Sequence, residues 1–291
     1  MPGKTRRALK NSAIQGTSQI ITWALSWVLL VILPRYLGDD GFGKLFFALS
    51  YGMIFGTVMN LGINKFLVKE VAVLNPIDKP GADHTEHEEQ LRDLLGNVFG
   101  FKLLLIAAGY LLMTGVIFLL PYDPLTRKAT LIIAMATCIG KITLGAVSAL
   151  QGFENMLAPN IALIVEKAIT TAGCTTLLLL GFGLIPVCFI YVIAAAANCL
   201  VVMVLLLRQR RFRIRFNRER IKQIAVGGLP FLIWVIFGEI YVRIDVLMLS
   251  LMTKAEVVGW YGAAFRIYST LLFVPHMLNT AVFPPLARLG A

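Results

Sequence analysis

The chain has 291 residues, of which 58% are apolar and 15% charged, with a mean hydropathy of +0.78. Soluble domains are charged at about a quarter of positions, and one of this size has too little interior to shelter so much apolar surface. The composition therefore excludes a water-soluble globule and points to a membrane protein; the net charge of +11 raises nucleic acid as a partner, which the placement of the charges then argues against.

A hydrocarbon core about 30 Å thick needs about 20 apolar residues of helix, because no backbone amide can go unpaired there. Segments of that length predict eight membrane helices, at residues 11–33, 43–64, 95–120, 129–150, 159–180, 184–207, 224–251 and 258–283. The fold class is all-α, a polytopic membrane helix bundle. The first span follows ten residues and has no small-residue cleavage site after it, so it reads as a retained helix rather than a signal peptide. Along it Asn11, Gln15, Gln19, Thr22 and Ser26 step by three or four and stack on one face for about 22 Å, which suits the wall of a hydrated cavity better than lipid.

In the second and third spans, Gly52 with Gly56 and Gly96 with Gly100 form small-xxx-small pairs that let helices approach closely. Between these spans the polar stretch from Lys65 to Arg92 reads as a loop too short to fold alone. His84 and His87 lie in it among Glu86, Glu88 and Glu89, a spacing better explained as solvated loop than as a metal site. Cys138, Cys174, Cys188 and Cys199 fall inside apolar spans with no motif spacing, as small core residues. No metal, cofactor or disulfide framework is implied.

Charges inside the spans cost about 2.5 to 3.5 kcal/mol each on insertion scales, so they tend to face a cavity or a partner. The bases are Lys102, Lys141, Lys167, Arg243 and Arg266; the acids are Glu166, Glu239 and Asp245. Lys102 lies near a span end and is expected to snorkel outward. Glu239 and Arg243 have the spacing of an intrahelical ion pair. Asp245 points elsewhere and is expected to pair with Arg266. Glu166 and Lys167 diverge by about 100° and cannot serve each other well. The expected substrate-binding residues are thus Arg266, Arg243, Lys141 and Lys167; Asp245, Glu239 and Glu166 are candidates for coupling or gating; Gln15, Gln19, Thr22 and Ser26 are candidates for the cavity wall.

With the N-terminus inside, seventeen Lys and Arg fall on the inner side and five on the outer, so basic loops place the N-terminus in the cytoplasm. The arginine run from Arg208 to Arg220 is then a topology anchor lying against anionic membrane lipid, and nucleic acid is not needed to explain it. An internal repeat is also visible. FGKLFFA at Phe42 to Ala48 and VGWYGAA at Val258 to Ala264 share one apolar-Gly-x-apolar-x-x-Ala pattern, their glycines 216 residues apart. Six spans per unit return the second unit in the same orientation, a parallel repeat. The expected organisation is a six-helix lobe over residues 1–215 and the start of a second lobe over 216–291. Two full units would need about 430 residues, so a fragment of a longer transporter is the expectation.

A positive cavity between two like-oriented units describes an alternating-access transporter of an anion, with Arg suited to a phosphate. The stretches PRYLGDDGFGKLFFA (Pro34 to Ala48), LGINKFLVKEVA (Leu61 to Ala72), LLGNVFGFKLLL (Leu94 to Leu105), ALQGFENM (Ala149 to Met156), IDVLML (Ile244 to Leu249), VGWYGAAFRI (Val258 to Ile267) and FPPLARL (Phe283 to Leu289) carry a resemblance. The sequence resembles the oligosaccharide flippases, or polysaccharide transport proteins, of the multidrug/oligosaccharidyl-lipid/polysaccharide exporter superfamily. The resemblance implies two six-helix lobes around a central cationic cavity. It also implies a non-enzymatic flippase in the cytoplasmic membrane that moves polyprenyl-diphosphate-linked oligosaccharide for surface polysaccharide, with H+ or Na+ as coupling ion. Asp245 and Arg266 fall on family-like stretches; Lys141, Lys167 and Arg243 rest on charge placement alone. The alternatives are a multidrug or organic-cation exporter, which needs an acidic or aromatic cavity, and a non-transporting membrane assembly partner. A membrane glycosyltransferase would need surface carboxylates, of which the outer loops offer Asp39, Asp40, Asp123 and Glu256.

Overall fold

A computed structural model describes residues 2–74 and 84–271, without the side chains of 2–14, 84–86, 230–231, 233–234 and 270–271. The Asn11, His84 and Glu86 side chains, the end of the eighth span and FPPLARL lie outside what is described. Eight helices make up the described residues: α1 (Pro2–Val58), α2 (Ile63–Leu74), α3 (His84–Leu119), α4 (Pro124–Gly152), α5 (Leu157–Leu179), α6 (Leu184–Gln209), α7 (Arg218–Met252) and α8 (Ala255–Leu271). Five of them are long and apolar enough to cross a membrane, one of these being α1. The protein is an all-helical, multi-pass membrane bundle.

The first two expected spans are the two arms of α1. They part at Gly38, whose φ of 68° and ψ of 174° belong to glycine, four residues after Pro34 removes an N–H from the helical ladder. The third to sixth expected spans coincide with α3 to α6; the seventh lies on α7 and the described part of the eighth on α8. The outward faces carry apolar side chains such as Leu104, Leu111, Leu119 and Phe237, more than half exposed, as lipid contact requires.

The stretch from Lys65 to Arg92 is not one loop. Its first part belongs to α2, whose Ile63, Leu67 and Val71 recur every four residues and are fully buried; its last part forms the first turns of α3. This apolar stripe sits against α4, α3 and α7, in a core with Leu91, Leu95, Ala149, Leu150, Val202 and Ile224. A second core joins α1, α4, α5 and α6 and buries Cys174 and Cys188; a third joins α1, α3, α4, α7 and α8 around Tyr51, whose hydroxyl donates to the Met113 carbonyl at 2.8 Å.

One end of the bundle gathers the α3–α4 turn, the start of the second arm of α1 and the α7–α8 turn. Asp123 caps α4, accepting from the Leu125 and Thr126 amides at 3.2 Å each, and lies 3.5 Å from Lys44, which also pairs with Asp40 at 2.8 Å. Burial pushes the Asp123 carboxyl upward, but the Thr126 hydrogen bonds and Lys44 outweigh it and hold its pKa below the ordinary value. The Tyr122 and Ser250 hydroxyls are hydrogen-bonded at 2.8 Å.

At this end the two copies of the repeated motif touch each other. A methyl group on Gly43 would lie 1.8 Å from the Ala255 carbonyl oxygen, and one on Gly259 would lie 2.4 Å from the Asp39 carbonyl oxygen. Asp39 and Ala255 are themselves related by the 216-residue offset, so the contact is reciprocal, as across a two-fold axis. Gly262 packs on the Phe46 ring, and the Trp260 indole donates to Asp39 at 2.8 Å.

The opposite end holds the arginine run. Residues 210–217 leave α6 in extended conformation at Arg210 and enter α7 through Asn217, which caps it. The Gly96 and Gly100 face, expected to meet a helix, meets the backbone of this strap instead. Methyl groups on the two glycines would lie 2.3 Å from the Arg213 and Arg215 carbonyl oxygens respectively. The Arg215 amide donates to the Gly96 carbonyl at 3.1 Å and the Asn217 amide to Asn97 at 2.7 Å.

Candidate functional site

Three of the four expected binding cations share a cavity. Lys167 from α5, Arg243 from α7 and Arg266 from α8 line a space of about 340 Å³ inside the bundle, together with Ser26 of α1 and Tyr191 of α6. Its size is that of a small-ligand pocket. Arg243 lies 3.6 Å from Glu239, one helical turn away, and 5.3 Å from the Phe265 ring centre. Arg266 lies 5.3 Å from the Phe42 ring centre and against the Tyr191 hydroxyl. Aromatic faces hold a guanidinium in place without cancelling its charge; Glu239 and Asp245 both offset the charge of Arg243, and the lining, with Lys167 and Arg266 beside it, keeps a positive character.

Asp245 departs from the expectation of an Arg266 partner. It accepts a hydrogen bond from the Tyr261 hydroxyl, across the α7–α8 hairpin. Arg266 follows Tyr261 by five residues, about 140° further around α8, and Asp245 also acts electrostatically on Arg243.

Lys141 does not join that cavity. It lines a second one, of about 420 Å³, with Gln15, Gln151, Asn160, Glu166 and Asn198. Glu166 accepts a hydrogen bond from the Asn198 amide, and its sequence neighbour Lys167 faces the other cavity. Met53 borders both spaces. Lys141 crosses the Gly56 face, where a methyl group would come 2.4 Å from its Cε, and is electrostatically coupled to Glu239. The Gly52 and Gly56 pair thus serves close packing of α1 on α4, with Thr137 over the first glycine.

The polar stripe of α1 divides between these environments. Gln15 borders the second cavity and Ser26 the first; Thr22 is buried, and Gln19 is exposed and lines neither. The Thr22 and Ser26 hydroxyls donate back to their own helix, to the Gln19 and Thr22 carbonyls.

Lys102 does not snorkel. It is 1% exposed, and its ammonium donates to Asn60 Oδ1 at 3.0 Å, Asn64 Oδ1 at 2.8 Å and the Lys141 carbonyl at 3.2 Å. The turn between α1 and α2, with positive φ at Leu61 and Gly62, brings the two asparagines to it. Asparagines four apart were visible in the sequence, but nothing there tied them to a lysine 38 residues further on.

The model of the polysaccharide biosynthesis protein family matches residues 8–289. The chain belongs to that family. No curated protein and no solved structure matches it. The match runs through the helices that supply both cavities, so Lys167, Arg243 and Arg266, and the amide-rich space beside them, lie within the family region.

Proposed function

We propose that this family member is a transporter that flips polyprenyl-diphosphate-linked oligosaccharide across the cytoplasmic membrane by alternating access. The observation that carries this reading is the convergence of Lys167, Arg243 and Arg266, from three different helices, on one cavity inside the bundle. Cations sheltered from water attract a diphosphate strongly, and guanidinium groups grip its oxygens in pairs. The adjoining space, with Gln15, Gln151, Asn160, Glu166 and Asn198, offers the mixed donors and acceptors that sugar hydroxyls need. Head group and first sugars would occupy the two spaces while the lipid tail stays in the bilayer. Residues 1–215 act in this scheme as the six-helix lobe and 216–291 as the start of the second, and the reciprocal contact at Gly43 and Gly259 supports their relation. Asp245, Glu239 and Glu166 are the carboxylates available to an H+ or Na+ coupling step. The positive cavity disfavours an exporter of organic cations.

Replacing Arg266 or Lys167 by Ala is expected to abolish glycan export while the protein still inserts at normal abundance. Export is read as surface polysaccharide, and abundance by immunoblot of membranes. Normal export by both variants would overturn the reading.

A further inference from the structure

The strap and the end of α6 enclose a groove of about 850 Å³, lined by Arg92, Arg208, Arg211, Arg213 and Arg215 on a wall of Val204, Leu207 and Phe212. Its basic side chains are arrayed by simple geometry. Arg211, Arg213 and Arg215 alternate along the strap between Arg210 and Asn217, both of extended backbone, and all three line the groove. The strap is held to α3 through Gly96 and Asn97, and ion pairs tie Arg215 to Asp93 at 3.0 Å and Arg210 to Glu88 at 2.9 Å. Arg92 is paired with Glu88 at 3.4 Å. For Arg208, Arg211 and Arg213 no carboxylate lies within ion-pair distance among the described residues.

A topology anchor needs basic residues, but not an ordered array of them. A single-phosphate lipid would engage one or two of these guanidinium groups; two linked phosphates can bridge successive ones, with the chain that carries them lying along Val204, Leu207 and Phe212. We infer that the strap groove is a docking site for a lipid-borne diphosphate head group at the cytoplasmic surface, distinct from the central cavity. The nature of the ligand rests on the proposed transport reading; the site itself rests on the groove.

The test uses the full chain in detergent with mixed micelles, in an Arg266→Ala background that removes a central cation. Micelles carry either long-chain polyprenyl diphosphate or phosphatidylglycerol at matched total charge, and inorganic pyrophosphate serves as a soluble probe. The parent is expected to bind the diphosphate lipid about tenfold more tightly than the charge-matched phospholipid. R211Q/R213Q is expected to lose that preference. R211K/R213K, which keeps the charge and so the topology but not the paired hydrogen bonds, should lose it while still binding phosphatidylglycerol. Equal binding of the two lipids, an unchanged preference in either double variant, or pyrophosphate binding as tightly as the lipid would each overturn the inference. Because binding is read without transport, these results are independent of whether Arg266→Ala exports glycan.

Discussion

Burying an ammonium inside a membrane bundle is tolerable when each of its three N–H bonds ends on oxygen, and Lys102 meets that condition with Asn60, Asn64 and the Lys141 carbonyl. Four elements are joined at that one nitrogen: the α1–α2 turn, α2, α3 and α4. Lys102→Met would leave the Asn60 and Asn64 oxygens facing a methyl group, at a cost of about 1–3 kcal/mol for each group left unsatisfied, while the Lys141 carbonyl keeps its bond within α4. A marked fall in the thermal midpoint of the detergent-solubilised protein is expected. Adding Asn60→Leu and Asn64→Leu should recover part of it, since replacing all partners costs less than orphaning some. The sequence placed Lys102 near a span end, where snorkelling and burial look alike; only the facing helices decide between them. The Glu239–Arg243 pair, by contrast, was readable because its spacing lies within one helix, whereas the Asp245 partner depended on how α8 turns.

At the scale of elements, span positions were legible because length and hydropathy are local properties. What escaped was the identity of neighbours. The stripe Ile63, Leu67, Val71 was in the sequence, yet the charges between its members masked α2 as loop. Gly96 and Gly100 announced a close approach without saying that an extended backbone, and not a helix, would make it. The motif copies at Gly43 and Gly259 were seen as relatives, not as partners. Their contact leaves no room for a side chain, so Gly43→Val and Gly259→Val should each lower the thermal midpoint by separating α1 from α8. The double variant should lose clearly less than the sum of the two, because either substitution alone opens the shared contact. Additive losses would mean the two glycines act at separate places.

For the whole molecule, the expected orientation places the strap in the cytoplasm and the α7–α8 turn outside. With Cys138, Cys174, Cys188 and Cys199 replaced by Ala, Lys254→Cys should react with a membrane-impermeant maleimide on intact cells. Ile214→Cys, on the exposed strap, should react only after permeabilisation. The reverse pattern would invert the topology and move the arginine groove to the outer surface. The reciprocal fit of the two motif copies also bears on biosynthesis. The first copy matches the second copy of a sibling molecule as well as its own, so until its own α8 follows, the first copy is open to the α8 of another chain. Tethering within one polypeptide gives the correct partner a high effective concentration. Crowding during insertion, or delay in delivering α8, shifts that competition toward entangled dimers.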